Sequence, residues 1–420
     1  MNTPPAVAVA EIQGLYGPFT FSEKLLQKIW ARREFDTAHA STADGSRVQI
    51  ETPGKWNHLG GPDFKNARLR IGDAALAGDI EVHLRETDWH AHRHADDPAY
   101  ANVILHVVLF PSRRNTTPGA NARVIPILTL LPLLHHDLEE YAADDAIERL
   151  ASHSLSNASK NLSALSLPEI LATLASHAEK RWRQKIHFAA QRIKRLGWDE
   201  ACHHAALEIL GYSRNRAPML AIAGRHPLEN WGKFANARDA AAFAEDIFNE
   251  HAGTWARQAA RPANHPRTRL RQYAAWTTAR PAWPESLLQL QLTGCFSKND
   301  SGADANTSSS NAAAWRRANK ATALRKHIRA EICADAIGGT RLDTFICDGL
   351  LPLLAAQNPA CEHALGEAWT HWFTGDMPAR FASQLRALGV TGGRNAPANN
   401  GAAQGLLGFL IEEELGGAKG

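Results

Sequence analysis

Apolar and ionisable side chains alternate between residues 76 and 85, and this alternation limits the local fold more than any other feature of the chain. Successive side chains of a β-strand point to opposite faces of the sheet. One face of a strand here would carry Ile80, Val82 and Leu84. The opposite face would carry Asp79, Glu81 and His83. Such a strand, with one apolar face and a row of two carboxylates and an imidazole, predicts the wall of a metal or acid–base site.

Neighbouring segments predict a small mixed sheet around this strand. Residues 24–35 have apolar side chains at helical spacing, and Ser22 is positioned to cap that helix. Four strand patterns follow, at residues 47–51, 67–71, 76–84 and 102–110. The last is a nearly continuous apolar run after a short crossover, typical of a strand buried on both faces. This order predicts an αβββαβ-like mixed-sheet domain over residues 1–135.

After residue 135 the pattern changes to that of helices. Ala, Leu, Arg and Glu recur at intervals of three and four residues, so residues 136–420 are predicted to form a large, mostly α-helical domain. A stretch near 297–311 is rich in Ser, Asn, Asp and Gly and is predicted to be a flexible insertion. The predicted fold class is therefore α+β followed by α, in two domains.

Composition excludes several classes of function. The formal charge is +3, from 46 basic and 43 acidic side chains, so any nucleic-acid interface must be a local basic surface. The five cysteines are widely spaced without a CxxC pair, which favours reduced thiols of a cytoplasmic protein. No run approaches the roughly 20 apolar residues of a membrane span, and the phosphate-binding motifs of nucleotide-binding proteins are absent. We therefore expect neither a membrane partner nor a nucleotide cofactor.

Two carboxylates are predicted to meet at one end of the sheet. Pro62 fixes the backbone before Asp63 at the entrance of one strand, and Glu81 lies in the next strand. If these strands are antiparallel and joined by the turn at Gly72-Asp73, the carboxylates approach one another and can hold Mg²⁺ or Mn²⁺. In the alternative, Asp63 caps a turn and Glu81 pairs with a nearby arginine.

Spacing and strand order are similar to those of the PD-(D/E)XK nuclease core, which has an Asp before one strand and a Glu-x-Lys on the next. Pro62-Asp63 matches the first half, and Glu81-Val82-His83 matches the second. The departure is His83, where that family has lysine. The resemblance implies metal-dependent hydrolysis of phosphodiesters, with Asp63 and Glu81 binding metal and His83 positioning or deprotonating water.

Three further histidines occupy alternate positions, 90, 92 and 94, in the segment that connects the last two predicted strands. On an extended loop they would project to one side, where neutral imidazole is a good ligand for zinc. The alternative is a solvated polar loop. We expect His92 and His94 to complete the metal site. Zinc held by His83, His92 and His94 with a carboxylate is the alternative to Mg²⁺ or Mn²⁺.

A basic amphipathic pattern lies within residues 179–196. Its candidate nucleic-acid-binding side chains are Arg181, Arg183, Lys185 and Arg192. Such a helix can contact phosphates, although a basic amphipathic pattern is more often the solvated face of a packed helix.

The whole chain resembles the DUF2851 family of uncharacterised bacterial proteins. The match rests on Gly61-Pro62-Asp63-Phe64-x-Asn66-Ala67-Arg68, on Gly78-Asp79-Ile80-Glu81-Val82-His83, on Asp88-Trp89 with His92 and His94, and on Asp97-Pro98-Ala99-Tyr100 with the strand that follows. The resemblance implies this fold pattern and residue set, and it implies no reaction.

The leading functional hypothesis is a divalent-metal-dependent, nuclease-like phosphodiester hydrolase that acts on nucleic acid. One alternative is a non-catalytic nucleic-acid or protein binding module with a degenerate nuclease-like core. Another is a protein with a zinc site made of histidines and a carboxylate.

Overall fold

The structure, a computed structural model, describes residues 9–15, 17–119, 123–152, 158–256, 264–290, 309–391 and 398–416 of the 420-residue chain. Two compact units divide the chain, Met1–Ala142 and Ala143–Gly420. The first contains a mixed sheet and the second is helical, as the sequence predicts. The predicted insertion near 297–311 lies outside the described residues as far as residue 308, and residues 309–311 begin a helix.

The sheet unit begins with an antiparallel hairpin of β1 (Val9–Gly14) and β2 (Gly17–Ser22). It leads directly into α1 (Glu23–Arg32), which the sequence predicts. Ser22 caps this helix, since its Oγ accepts a hydrogen bond from the N–H of Leu25 at 3.2 Å. The buried stripe of α1 consists of Leu25, Leu26, Ile29 and Trp30. Burial of this stripe fixes the rotation of α1 about its axis and so the direction in which Glu23 points.

Seven further strands form one mixed sheet. They are β3 (Val48–Thr52), β4 (Lys55–Trp56), β5 (Phe64–Ile71), β6 (Ala74–His83), β7 (Val103–Val108), β8 (Thr116–Pro118) and β9 (Val124–Thr129). Their order is β3-β5-β6-β7-β9-β8, and β4 also pairs with β5. β6 pairs with β7 in parallel, as does β7 with β9, and the other pairs are antiparallel.

Four of these strands, β3, β5, β6 and β7, coincide with predicted segments. Every residue of β7 is buried, as its continuous apolar run predicts. The sequence does not predict β4, β8 and β9. β4 and β8 are too short to show alternation, and β9 contains Pro126, a residue that normally argues against a strand.

A short crossover joins β6 to β7. It contains α2 (Asp88–Ala91) and two single 3₁₀ turns, His94–Asp96 and Pro98–Tyr100. Trp89 anchors it, because the fully buried indole donates its Nε1–H to the carbonyl of Pro118 at 3.0 Å. Gly78 allows the end of the crossover to pack directly against β6, since a Cβ at this position would lie 2.5 Å from the carbonyl oxygen of Asn102.

Most of the remaining described residues lie in α-helices. They are α3 (Leu138–Ser152), α4 (Ala158–Ser163), α5 (Leu167–Leu196), α6 (Trp198–Arg225), α7 (Leu228–Gly232), α8 (Ala237–Glu250), α9 (Pro266–Ala279), α10 (Trp283–Gln289), α11 (Ser309–Ala318), α12 (Ala321–His327), α13 (Gly339–Thr344), α14 (Leu351–Gln357), α15 (Glu362–His371), α16 (Ala379–Ala387) and α17 (Asn400–Gly416). α6 is interrupted at Tyr212, whose φ of 56° is not helical. Within the described ranges, no helix has the length and apolar character needed to cross a membrane.

Candidate metal centre

Two hydrogen bonds from backbone N–H groups to carboxylate oxygens connect Asp63 with the strand that carries Glu81. β5 and β6 are antiparallel and connected by the turn at Gly72-Asp73, as the sequence predicts. Asp63 directly precedes β5, and its N–H donates to Glu81 Oε2 at 3.1 Å. In return, the N–H of Val82 donates to Asp63 Oδ2 at 3.0 Å. Both carboxylates therefore lie at the same end of this strand pair.

A third carboxylate, Glu23, interacts with the same pair. Burial, followed by the negative charges of Asp63 and Asp88, raises the pKa of Glu23 to about 8. Burial and then the charge of Glu81 raise the pKa of Asp63 to about 8, and burial raises the pKa of Glu81 well above its usual range. Glu23 Oε2 is buried without a hydrogen-bond partner among the described residues. This group of acids can therefore accept a proton or a cation at neutral pH.

Glu23 is not among the site residues predicted from the sequence. An acidic residue in the first turn of a helix is common, because it interacts favourably with the helix dipole. Glu23 is also distant from Asp63 along the chain, and only the packing of α1 brings them together.

The other carboxylate oxygen of Glu81, Oε1, faces a cluster of three imidazoles. One ring nitrogen from each of His83, His92 and His94 lies within 4.8 Å of the other two. His83 Nε2 is 3.2 Å from His92 Nδ1. Glu81 Oε1 is 3.3 Å from His94 Nε2 and 3.5 Å from His83 Nε2. Ligand atoms around a tetrahedral zinc ion, with bonds of about 2.0–2.1 Å, are about 3.3–3.4 Å apart. These three separations are therefore close to those of tetrahedral metal ligands.

The crossover presents His92 and His94, but not His90, to this cluster. The prediction of an extended loop with all three on one side is wrong, because the segment is helical. His92 is the C-terminal capping residue of α2, and His94 begins a 3₁₀ turn. Between them Arg93 has a φ of 57°, in the left-handed region, and this local reversal lets both neighbours face the cluster. His90 Nε2 instead lies 3.3 Å from a guanidinium nitrogen of Arg114.

A chain of buried polar groups fixes the orientation of His83. Its Nδ1 lies 2.9 Å from His106 Nε2, and His106 Nδ1 lies 2.8 Å from Thr117 Oγ1. With a proton on each Nδ1, both contacts are hydrogen bonds and His83 Nε2 keeps its lone pair toward the cluster. Buried partners fix the tautomer of metal-ligating histidines in this way. His106 is thus a fully buried, hydrogen-bonded residue of the sheet, and the sequence gives no signal for Thr117.

Burial keeps these imidazoles neutral at pH 7. It is the main cause that lowers the pKa of His94 to about 4 and that of His106 to about 3, and it lowers the pKa of His83 well below its usual range. Neutral imidazole has the lone pair that a metal ion requires. The ring of His94 is held in place by stacking on Tyr100, with a centroid distance of 3.8 Å.

Asp63 and Asp79 have other partners. The side-chain amide of Gln27 donates to Asp63 Oδ1 at 2.8 Å, so both oxygens of Asp63 accept hydrogen bonds. Asp79 Oδ1 accepts from the N–H of Asn66 at 3.1 Å and so supports a bulge in β5, where Asn66 has a φ of 59°. Of the predicted metal ligands, the structure brings together Glu81, His92 and His94, and His83 joins them.

The four cations expected to contact nucleic acid lie on α5 and have partners within the helical unit. These cations are Arg181, Arg183, Lys185 and Arg192. Their respective partners are Gln404 at 2.8 Å, Glu179, Asp348 at 2.7 Å and Glu208 at 2.7 Å. Three of the four positive charges are thus offset by carboxylates, so α5 offers a phosphate less charge than its sequence suggests.

A basic groove of about 550 Å³ lies on the sheet unit, beside β8 and β9. The arginines that line it are Arg113, Arg114 and Arg123. Thr117 also lines the groove and is the residue bonded to His106. Because His106 contacts His83 directly, two side chains connect the groove to the histidine cluster. The sequence does not predict this groove, because its arginines flank β8 and β9, two strands that show no detectable pattern.

Comparison with known proteins agrees with the resemblance seen in the sequence. The sequence profile of the family described as "Protein of unknown function (DUF2851)" matches residues 23–245, more than half of the chain. The chain belongs to this family. The matched DUF2851 region begins at Glu23 and includes the whole group of acids and histidines. No curated protein and no solved structure matches the chain.

Proposed function

We propose that the sheet unit binds a divalent transition-metal ion through Glu81, His83, His92 and His94 and hydrolyses phosphodiester bonds in nucleic acid. One observation carries the metal site. The donor separations of 3.2, 3.3 and 3.5 Å fit the roughly 3.3–3.4 Å between ligands of a tetrahedral ion. The neighbouring carboxyls with raised pKa values and the arginine groove support the reaction and the substrate.

Three imidazoles and one carboxylate favour zinc over magnesium, because Mg²⁺ prefers oxygen ligands in an octahedral arrangement. The Mg²⁺ or Mn²⁺ site expected from the sequence would use the oxygens of Asp63, and both already accept hydrogen bonds. A bound zinc ion would act as a Lewis acid toward water and a phosphoryl oxygen.

In this proposal His83 binds and orients, instead of activating water as the nuclease resemblance implies. Its Nε2 is one of the clustered donors, and its Nδ1 is tied to His106. Proton transfer falls to Asp63, whose pKa of about 8 lets the carboxyl hold or release a proton near neutral pH. A general acid or base is most effective in that range.

The arginine groove supports nucleic acid as the substrate. Guanidinium groups bind phosphate oxygens in bidentate geometry, and this contact does not depend on base sequence. The groove lies on the same unit as the candidate centre, and Thr117, which lines the groove, contacts His106, the neighbour of His83. The cations of α5 have a secondary role here. A cytoplasmic location is part of the proposal, supported by the four free cysteines of the described chain.

A closed structural zinc site is the second candidate, because four protein donors satisfy a tetrahedral ion and structural sites are closed in this way. The exposure of His92 distinguishes a catalytic zinc site from a closed structural one. His92 is exposed, unlike His83 and His94, so water can replace it and leave the three protein ligands typical of a catalytic site.

The test combines metal content with cleavage. The chelator-stripped protein is reloaded with Zn²⁺, Mn²⁺ or Mg²⁺ and assayed on labelled single-stranded, duplex and branched DNA and RNA. We expect one zinc ion at this centre and zinc-dependent cleavage, both lost in Glu81→Gln and His94→Ala. His90→Ala is the matched control and should keep both, since His90 faces Arg114.

Three other results are informative. Cleavage that persists in Glu81→Gln would assign the activity elsewhere. Zinc binding without cleavage in any substrate would favour the closed structural site. Nucleic-acid binding without zinc or cleavage would favour the non-catalytic binding module.

A further inference from the structure

The helical unit brings three metal-ligating side chains together where two helices end. They are His226, Glu250 and His251. α6 ends at Arg225, and His226 is its C-terminal capping residue. α8 ends at Glu250, and His251 is its C-terminal capping residue. None of the three belongs to the centre at Glu81, and none is among the site residues predicted from the sequence.

Two buried nitrogens in this cluster have no hydrogen-bond partner among the described residues. They are Nε2 of His226 and Nε2 of His251. His226 Nε2 lies 4.0 Å from Glu250 Oε2, too far for a hydrogen bond. One donor atom of each residue nevertheless lies within 4.8 Å of the other two. Buried polar groups are normally paired, so two unpaired imidazole nitrogens beside a carboxylate require an explanation. A shared cation provides one.

The backbone holds both histidines firmly. The carbonyl of His226 accepts from His203 Nε2 and from Trp231 Nε1, each at 3.0 Å. The N–H of His251 donates to the carbonyl of Ile247 at 3.2 Å. By contrast, the side chain of Glu250 is 42% exposed and can rotate to shorten its distances to the two imidazoles.

The electrostatic setting has favourable and unfavourable parts. The C-terminal ends of α6 and α8 each present partial negative charge, which attracts a cation. Arg225 and Lys233 oppose it, since both lower the pKa of His226. Arg225 Nη2, however, binds Glu250 Oε1 at 3.1 Å, and this leaves Oε2 toward His226. Burial also lowers the pKa of both imidazoles, so that each is a neutral ligand at pH 7.

We propose that His226, Glu250 and His251 bind a second divalent transition-metal ion, which joins the C-terminal ends of α6 and α8. Two imidazole nitrogens and one carboxylate oxygen form a donor set that suits zinc, and the exposure of Glu250 leaves the fourth position to water. The residues differ entirely from those of the centre at Glu81, so the two sites can be removed separately.

The experiment is a zinc titration of the chelator-stripped full-length protein, with bound metal measured by mass spectrometry and Co²⁺ substitution followed by absorbance. We expect two ions per chain. Glu250→Gln should weaken the second ion at least about 10-fold, and His226→Ala/His251→Ala should remove it. His94→Ala should remove the other ion and leave this one. His363→Ala is the control, because His363 is 92% exposed and should change neither ion.

Thermal unfolding separates loss of the site from loss of the fold. In the His94→Ala background, zinc should raise the melting temperature, and Glu250→Gln should abolish that rise without changing the melting temperature of the stripped protein. A folded His226→Ala/His251→Ala protein that still binds two ions would overturn the proposal. If this double variant does not fold, Glu250→Gln decides, because Glu250 is exposed. Unchanged zinc affinity in that variant would equally overturn the proposal.

Discussion

His94 Nε2 lies 3.3 Å from Glu81 Oε1, yet the two atoms lack the geometry of a hydrogen bond. Both side chains are buried, with 7% of His94 and 5% of Glu81 exposed. A neutral imidazole nitrogen and a carboxylate oxygen that face one another each present a lone pair. Such a pair is costly in a buried setting unless a proton or a cation lies between its members. The contact therefore indicates a site for a positive ligand.

Glu81→Gln should weaken zinc binding and stabilise the metal-free protein. The substitution removes the only carboxylate of the donor set, so we expect an affinity loss greater than the roughly 10–100-fold typical of second-shell changes. It also removes a buried carboxyl whose pKa is raised by burial, and folding at neutral pH must either protonate that carboxyl or bury its charge. The unfolding free energy of the stripped protein should therefore rise. Chelator competition measures the first effect and thermal unfolding the second. Glu86→Gln is the control, because Glu86 pairs with Ser112 and Arg114. Equal zinc affinity in both variants would contradict the assignment.

Thr117→Val should weaken zinc binding about 10-fold although Thr117 does not touch the metal. The substitution keeps the side-chain shape and removes the acceptor of the His106 Nδ1–H. His106 then loses the contact that fixes its tautomer. Because His106 Nε2 is the acceptor that orients His83, the orientation of His83 is weakened as well. Zinc affinity by chelator competition provides the readout. Thr116→Val, in the same strand, should leave the affinity unchanged, and an equal loss in both variants would indicate general damage to β8.

The strand at the centre of the site could be predicted from the sequence, because the alternation of its side chains depends only on neighbouring residues. Alternation places Glu81 and His83 on one face, and Pro62 together with the turn at Gly72-Asp73 brings Asp63 to the same end. These relationships depend on neighbouring residues or on one hairpin. Sequence pattern describes such relationships well.

The rest of the site depends on information that no local pattern carries. Glu23 approaches Asp63 only because α1 packs on the sheet unit. His92 and His94 share a direction because Arg93 adopts a left-handed conformation, a backbone state that an arginine in a sequence does not signal. Thr117 reaches His106 from a three-residue strand that has no recognisable period.

The metal-free protein should lose stability as the pH rises from 6.5 to about 8. Asp63 has a pKa of about 8 in the fold against an ordinary 3.8, so the folded state binds a proton that the unfolded state has released. Stability from this group is therefore lost as the pH rises toward 8, at up to about 1.4 kcal/mol per pH unit. Thermal unfolding in the presence of a chelator measures the trend. Asp63→Asn should reduce this slope and leave the part due to Glu23 and Glu81, whose pKa values are raised as well. An unchanged slope in that variant would assign the effect to those groups.

At lower pH, the buried histidines make the stability of the folded protein rise with pH, the opposite of the effect of Asp63. The pKa of His94 is about 4 and that of His106 about 3 in the fold, both below the ordinary 6.5. Below pH 6.5 the unfolded state binds protons that the folded state does not, so stability falls as the pH drops toward 4. The stripped protein should therefore be most stable near pH 6. The zinc-dependent rise in melting temperature should grow between pH 6 and 8, because protons compete with the metal for the Glu81 carboxylate, whose pKa is raised by burial.

Arginines of the groove should account for more of the nucleic-acid affinity than those of α5. Arg113 and Arg123 line a groove on the unit that carries the candidate centre, whereas Arg183 is paired with Glu179. Each lost phosphate contact should lower the slope of log affinity against log salt concentration by about 0.7–0.9. Fluorescence anisotropy with labelled DNA, in the presence of a chelator to prevent cleavage, measures affinity and slope. Arg113→Ala/Arg123→Ala should reduce both, and Arg183→Ala should reduce neither. The reverse result would move the interface to α5 and separate substrate binding from the unit that holds the metal site.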